Sequence, residues 1–198
     1  MPVRVIYLVR HGQYEPYPEN GDSLGGSLTL LGREQAEHTA QALASTIAVS
    51  TIYASTLRRA AETATVIARQ FSGLEVQTAR DLWEIVPCIP PREADYFALH
   101  FPNLTPAAIA RDRYLADQAF DRLFCPANGS DQHDLIVCHG NLIRYFACRV
   151  LKVAVEIWAN METNNCGITR CVIESDGRMM LVSLNDIGHL SPELRTFT

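Results

Sequence analysis

Apolar residues follow two different periods along this chain. Val5-Ile6-Tyr7-Leu8-Val9 forms an unbroken apolar run within residues 3–9, short and continuous, as in a strand buried on both faces. Thr51-Ile52-Tyr53-Ala54, Glu75 to Thr78 and Leu135-Ile136-Val137-Cys138 are further short strands. Between them the period lengthens. Leu57, Ala60, Ala61, Ala64, Ile67, Ala68 and Phe71 recur at i, i+3 and i+4, which predicts a helix running from Ser55. A second helix is expected over about residues 30–47, capped by Thr29 and weakened in its first turn by Gly32. A third covers about residues 106–123. A fourth follows Asn141, a candidate cap, with Leu142, Ile143, Phe146, Ala147, Val150 and Leu151 on one face.

The segments between these elements differ in kind. Residues 12–28, rich in Gly, Pro, Asn, Asp and Ser, predict a long loop of functional use. Residues 86–106 are proline-marked and read as irregular, a lid and specificity element. The chain closes on a hairpin, Ile168 to Glu174, a Ser-Asp-Gly turn, and Met179 to Leu184. Strands alternating with helices predict a three-layer α/β/α sandwich with a largely parallel central sheet, one domain over residues 1–198.

Composition narrows the class. With 198 residues, 47% hydrophobic and 20% charged, the chain has the make-up of a soluble globular domain. A formal net charge of -5 argues against nucleic acid as a partner. No apolar run approaches the ~20 residues of a membrane span, so no membrane partner is expected. The six cysteines include no Cys-x-x-Cys pair; they read as reduced thiols, giving a cytoplasmic expectation. His38, His100, His133 and His189 follow no metal-ligand spacing, so neither metal nor cofactor is expected, and His100 is a candidate for a pocket mouth.

The chemistry sits where strands end. The first strand runs into Arg10-His11-Gly12 and the 135–138 strand into His139-Gly140. A strand ending in His-Gly puts an imidazole at the carboxyl edge of a sheet, where open α/β folds bind ligands. Ser55 to Thr63 repeats the device with Arg58 and Arg59 in the helix's first turn. Phosphoryl transfer needs an in-line nucleophile, positive charge on the equatorial oxygens and an acid at the leaving oxygen. His11 qualifies as nucleophile if neutral, and neighbouring arginines favour that form. Gly12 would leave room for a phosphate, and the helix opening at His139 and Asn141 favours an anion. Glu84 interrupts an apolar run, where burial would raise its pKa. Taken singly, each residue has a plainer account: a polar strand end, a turn, a solvated arginine, an exposed glutamate.

Arg10-His11-Gly12-Gln13, Ser55-x-Leu57-x-Arg59-Ala60-x-x-Thr63-Ala64 and His139-Gly140-Asn141 together resemble the histidine phosphatase superfamily, the phosphoglycerate-mutase-like fold. The resemblance implies a phosphohistidine at His11, with Arg10, Arg59 and His139 binding the phosphoryl group. Glu84, in Leu82-Trp83-Glu84, would be the general acid; Gln13 and Asn141 are candidates for substrate binding, Gln13 and Asn20 could line the entrance from the long loop, and Tyr14 and Tyr17 could stack on a substrate or simply pack. Thr29-Leu30-x-Gly32-Arg33-Glu34-Gln35-Ala36 and Cys138-His139-x-Asn141-x-Ile143-Arg144-Tyr145 are similar to the mitochondrial serine/threonine protein phosphatase branch. With no N-terminal membrane segment in the sequence, a bacterial or otherwise soluble relative is the simpler expectation.

Three other readings compete. A phosphomutase shares the phosphohistidine, but the Ser and Asn of the mutase first motif are Tyr14 and Tyr17 here, and Ile85 to His100 offers only Arg92 for a substrate carboxylate. Cys138 to Arg144 spells Cys-x5-Arg, the loop of cysteine-dependent phosphatases, yet this leaves Arg10-His11-Gly12 unexplained. A non-catalytic binding module would have no need of all five competent residues. The expected partner is thus a phosphorylated small molecule or phosphoprotein, with pairing into a homo-oligomer open.

Overall fold

The computed structural model describes residues 1–16 and 23–197; Tyr17 and Asn20 lie outside the described residues. Six strands form one sheet: β1 (Arg4–Arg10), β2 (Thr51–Ser55), β3 (Val76–Ala79), β4 (Gln132–Cys138), β5 (Ile168–Ile173) and β6 (Met179–Asp186). Their order is β3-β2-β4-β1-β5-β6. β3, β2, β4 and β1 pair in parallel, while β5 runs antiparallel to both β1 and β6. The parallel half and the closing hairpin are therefore as the hydrophobic pattern requires.

Alternation along the strands divides the core. Ile6, Leu8, Ile136 and Cys138 face one side, against α4 (Pro106–Leu123) and α5 (Gly140–Leu151). Val5, Tyr7, Val9, Leu135 and Val137 face the other, against α1 (Leu30–Ala44) and α2 (Arg58–Ala68). The result is an α/β/α sandwich. Each fully buried Ile or Leu contributes about 1.5–3 kcal/mol, which is why these strands are mostly apolar on both faces. Among the described residues no helix is long and apolar enough to cross a membrane.

Several local expectations need correction. Thr29 caps α1 as expected, accepting from the Gly32 amide at 2.9 Å, but the helix stops at Ala44 rather than 47. α2 begins at Arg58, because Ser55 still belongs to β2. Asn141 is not the cap of α5. His139 occupies that position in an extended conformation, since the chain leaves the sheet there and turns directly into the helix at Gly140. The stretch read as irregular contains a short helix, α3 (Ala94–His100), entered through a 3-10 turn at Pro91–Glu93. Seven residues between prolines carry too little periodicity to register; Phe97 anchors them on Trp158 and Cys148.

Registers place the site. Arg10 pairs with Cys138 and Ala54 with Val137, so β1, β4 and β2 finish level. The residues that follow each of them emerge side by side at one sheet edge.

Candidate active site

The imidazole of His11 is fixed by two partners of unambiguous character. Its Nδ1 lies 2.8 Å from the Gly12 carbonyl oxygen, which can only accept. Arg59 Nε, which can only donate, lies 3.0 Å from Nε2. The proton is therefore on Nδ1 and the Nε2 lone pair points toward Arg59. Burial first, then the Arg59 and Arg10 guanidiniums, hold His11 well below the ordinary imidazole pKa. A neutral ring with a defined lone pair is what a nitrogen nucleophile requires.

His139 lies beside it, ring centroids 5.2 Å apart, and is fully buried. Ser55 Oγ sits 2.9 Å from His139 Nε2 and accepts the Leu57 amide at 3.2 Å. If the Ser55 hydroxyl donates to Nε2, neutral His139 carries its proton on Nδ1. That atom is buried and without a hydrogen-bond partner among the described residues, as is Arg10 Nε. Buried polar atoms are almost always paired, so two orphan donors next to His11 are the hydrogen-bonding complement of an oxyanion. His139 is also held neutral, by burial and then by His11 and the two arginines.

Arg10 is steered by the segment before β5. Its Nη1 donates to the Thr163 carbonyl at 2.5 Å, and the Asn165 side chain donates to the His11 carbonyl at 3.0 Å. Gly140 lets this guanidinium pass: a Cβ there would stand 3.0 Å from Thr163 Oγ1 and 3.4 Å from Arg10 Nε. Arg59 lies over the Tyr14 ring, 4.6 Å from its centroid. Thr63, one turn further along α2, accepts the Gly12 amide at 3.0 Å. Pattern reading missed Ser55, Thr63, Thr163 and Asn165 as supports; the polar Thr163-Asn164-Asn165 run before an apolar strand was the available signal.

Glu84 approaches from the Arg80–Leu82 turn that follows β3. Its Oε1 accepts amides of Ile85 at 3.2 Å, Asn141 at 3.1 Å and Leu142 at 3.3 Å. The carboxylate thus does for α5 the capping work expected of Asn141. With Oε1 committed, Oε2 is the oxygen available to carry a proton. The residue keeps some solvent contact, but its carboxyl is enclosed, and that burial raises its pKa against the lowering pull of Arg10 and Arg59.

Other candidates take different positions. Gln13 Oε1 accepts from Thr29 Oγ1 at 2.8 Å, so its side chain pins the loop to α1 rather than reaching His11. Asn141 donates to the Ile85 carbonyl at 2.9 Å and accepts from Arg144. Gly12 is small for packing rather than for a phosphate, since a Cβ there would meet the Gly32 carbonyl oxygen at 2.5 Å. The His100 ring lies against Tyr96, tilted by 42° with centroids 4.5 Å apart, and does not line the cavity near Glu84. The Cys138 thiol is fully buried in the core and burial pushes its pKa far up, which removes the thiolate a Cys-x5-Arg mechanism needs.

Two cavities open from this edge. One, of about 560 Å³, is walled by Glu84, Asn141, Arg144, Phe97, Phe101 and Trp158 among others. The second, of about 610 Å³, shares Glu84, Ile85 and Asp112 with it and extends along Trp83, Tyr114 and Leu115.

Comparison with known proteins gives a consistent result. The model of the histidine phosphatase superfamily (branch 1) matches residues 6–86 and 115–187. The chain is 38% identical over 201 residues to the mitochondrial serine/threonine-protein phosphatase Pgam5 of Caenorhabditis briggsae, covering 98% of this chain and 67% of that protein. It is 33% identical to the Homo sapiens mitochondrial PGAM5 over 196 residues, 96% of this chain and 65% of that one. The chain thus spans about two thirds of the length of these relatives. Among solved structures, phosphoglycerate mutase from Plasmodium falciparum superposes with a TM-score of 0.66 at 27% identity, covering 97% and 96% of the two chains. Bacillus stearothermophilus YhfR gives 0.72 at 20% identity, covering 95% and 100%. The expectation of a cytoplasmic protein is overturned by the curated relatives, which are mitochondrial by name.

Proposed function

The chain belongs to the histidine phosphatase superfamily, and on that footing we propose that residues 1–198 act as one phosphatase domain in which His11 carries the phosphoryl group. It is a histidine-type phosphatase, hydrolysing phosphomonoesters of a phosphoprotein or a small molecule. The observation that carries the assignment of roles is the tautomer of His11: Nδ1 bound to the Gly12 carbonyl at 2.8 Å, Nε2 facing Arg59 at 3.0 Å.

In the first step His11 Nε2 forms a bond to phosphorus as the bond to the ester oxygen breaks. Arg59 turns from the nitrogen to the phosphoryl oxygens, joined by Arg10 and by His139 Nδ1–H, so positive charge and fixed donors meet the transition state. Protonated Glu84 gives its proton to the leaving oxygen, which departs as an alcohol. In the second step the Glu84 carboxylate takes a proton from water, whose oxygen attacks phosphorus and releases His11 and inorganic phosphate. Burial suits Glu84 to both duties by bringing its pKa toward the working range. Because its curated relatives are named as serine/threonine phosphatases, phosphoserine or phosphothreonine in protein is the substrate class this reading favours.

The test is hydrolysis of para-nitrophenyl phosphate and of a phosphopeptide panel in EDTA, for wild type and His11→Ala. Metal-free turnover that is lost in His11→Ala is expected. Turnover retained in the variant would refute the nucleophile.

A further inference from the structure

We infer that the cavity beside Glu84 is a side-chain subsite for a phosphorylated polypeptide, taking a large apolar residue near the phosphoserine. The inference rests on the phosphatase reading above and names the substrate feature that reading leaves open.

Glu84 protonates the leaving oxygen, so whatever is attached to that oxygen must depart past Glu84. Both cavities are lined by Glu84, Ile85 and Asp112. They adjoin at Glu84, the residue past which the leaving group departs. A compact leaving group occupies one cavity; a polypeptide continues in two directions from its phosphorylated residue and fits both.

The walls of the first cavity define the side chain. Val86, Tyr96, Phe97, Phe101, Leu104 and Trp158 present an apolar, largely aromatic surface. Tyr96 and Phe101, which both line this cavity, are 52% and 48% exposed. Its volume of about 560 Å³ accommodates a Phe or Leu side chain.

The charges of this cavity are paired within the protein. Arg144 donates to the Met161 carbonyl at 2.8 Å and to Asn141, and lies over Trp158, 4.8 Å from the ring centroid. Glu93 is paired with Arg92 at 3.3 Å and Asp112 with Arg111 at 2.9 Å. What the cavity offers a substrate is therefore its apolar wall.

The experiment uses phosphoserine peptides carrying Ala, Leu or Phe at each of the two positions before and after the phosphoserine. Expected is a kcat/KM about 10- to 30-fold higher for Phe or Leu than for Ala at one of these positions. Phe101→Ala, or Tyr96→Ala should the first variant misfold, reduces the apolar preference to within about threefold. Peptides hydrolysed without regard to these side chains, or small phosphate esters cleaved while no peptide is, would overturn the inference and leave the phosphatase standing. Failure to cleave any phosphomonoester, para-nitrophenyl phosphate included, would instead overturn the phosphatase reading.

Discussion

Replacing Ser55 by Ala removes one oxygen from behind His139 and leaves every group proposed to touch substrate in place. In the wild type that oxygen accepts the Leu57 amide at 3.2 Å and lies 2.9 Å from His139 Nε2, to which we propose its hydroxyl donates. The variant leaves a buried amide and a buried ring nitrogen without a partner, a cost of about 1–3 kcal/mol. For a chain of this length that lowers the melting temperature by about 2–12 °C, which leaves a folded enzyme to measure. The catalytic effect has a separate origin. Losing one preorganised donor to a developing oxyanion costs about 10²- to 10³-fold in kcat. Here the ring stays but its proton is no longer held on Nδ1, so a fall of about 10- to 100-fold is expected. Steady-state kinetics on a phosphoserine peptide reads the rate, and the ¹⁵N shifts of His139 read the tautomer directly. A wild-type His139 protonated on Nε2, or a folded Ser55→Ala enzyme within twofold of wild-type kcat, would refute the argument that the hydroxyl orients this imidazole.

Cys138→Ala should retain most activity, because its thiol is buried and pushed away from ionisation; a loss comparable to that of His11→Ala would revive cysteine chemistry. Glu84→Gln should slow hydrolysis of a phosphoserine peptide by about 10²- to 10⁴-fold while sparing para-nitrophenyl phosphate, whose leaving group needs little protonation. Equal losses on both substrates would show that Glu84 is not the acid. Stability should fall with acidification below about pH 6.5, the ordinary histidine value. His11 and His139 titrate well below that value in the folded state, so the unfolded chain binds more protons across the window. Each histidine then contributes a slope of up to about 1.4 kcal/mol per pH unit, while Glu84, raised by burial, pulls the other way above its unfolded pKa. A melting temperature flat between pH 7 and 5, or unchanged in slope in His139→Gln, would contradict this.

The sequence alone determined the layering and the addresses of the reacting groups. Val5 to Val9 and Leu135 to Cys138 are apolar on both faces, which demands a covered, parallel sheet, and each ends in His-Gly at its carboxyl edge. Those are local facts, carried by period and by the identity of one or two residues. What only the tertiary structure decided is what each group touches. That Gly12 is small because Gly32 presses on it, and that Glu84 rather than Asn141 caps α5, are contacts between segments twenty or more residues apart. The protonation of His11 and His139 depends on Arg59 and Ser55 arriving from another strand end. Short helix α3, held by Phe97 against Trp158, is likewise stabilised by packing rather than by propensity. Hydrophobic period specifies which face of an element is buried, but hydrogen-bond partners across the sheet depend on register and crossing, which no single stretch of sequence contains.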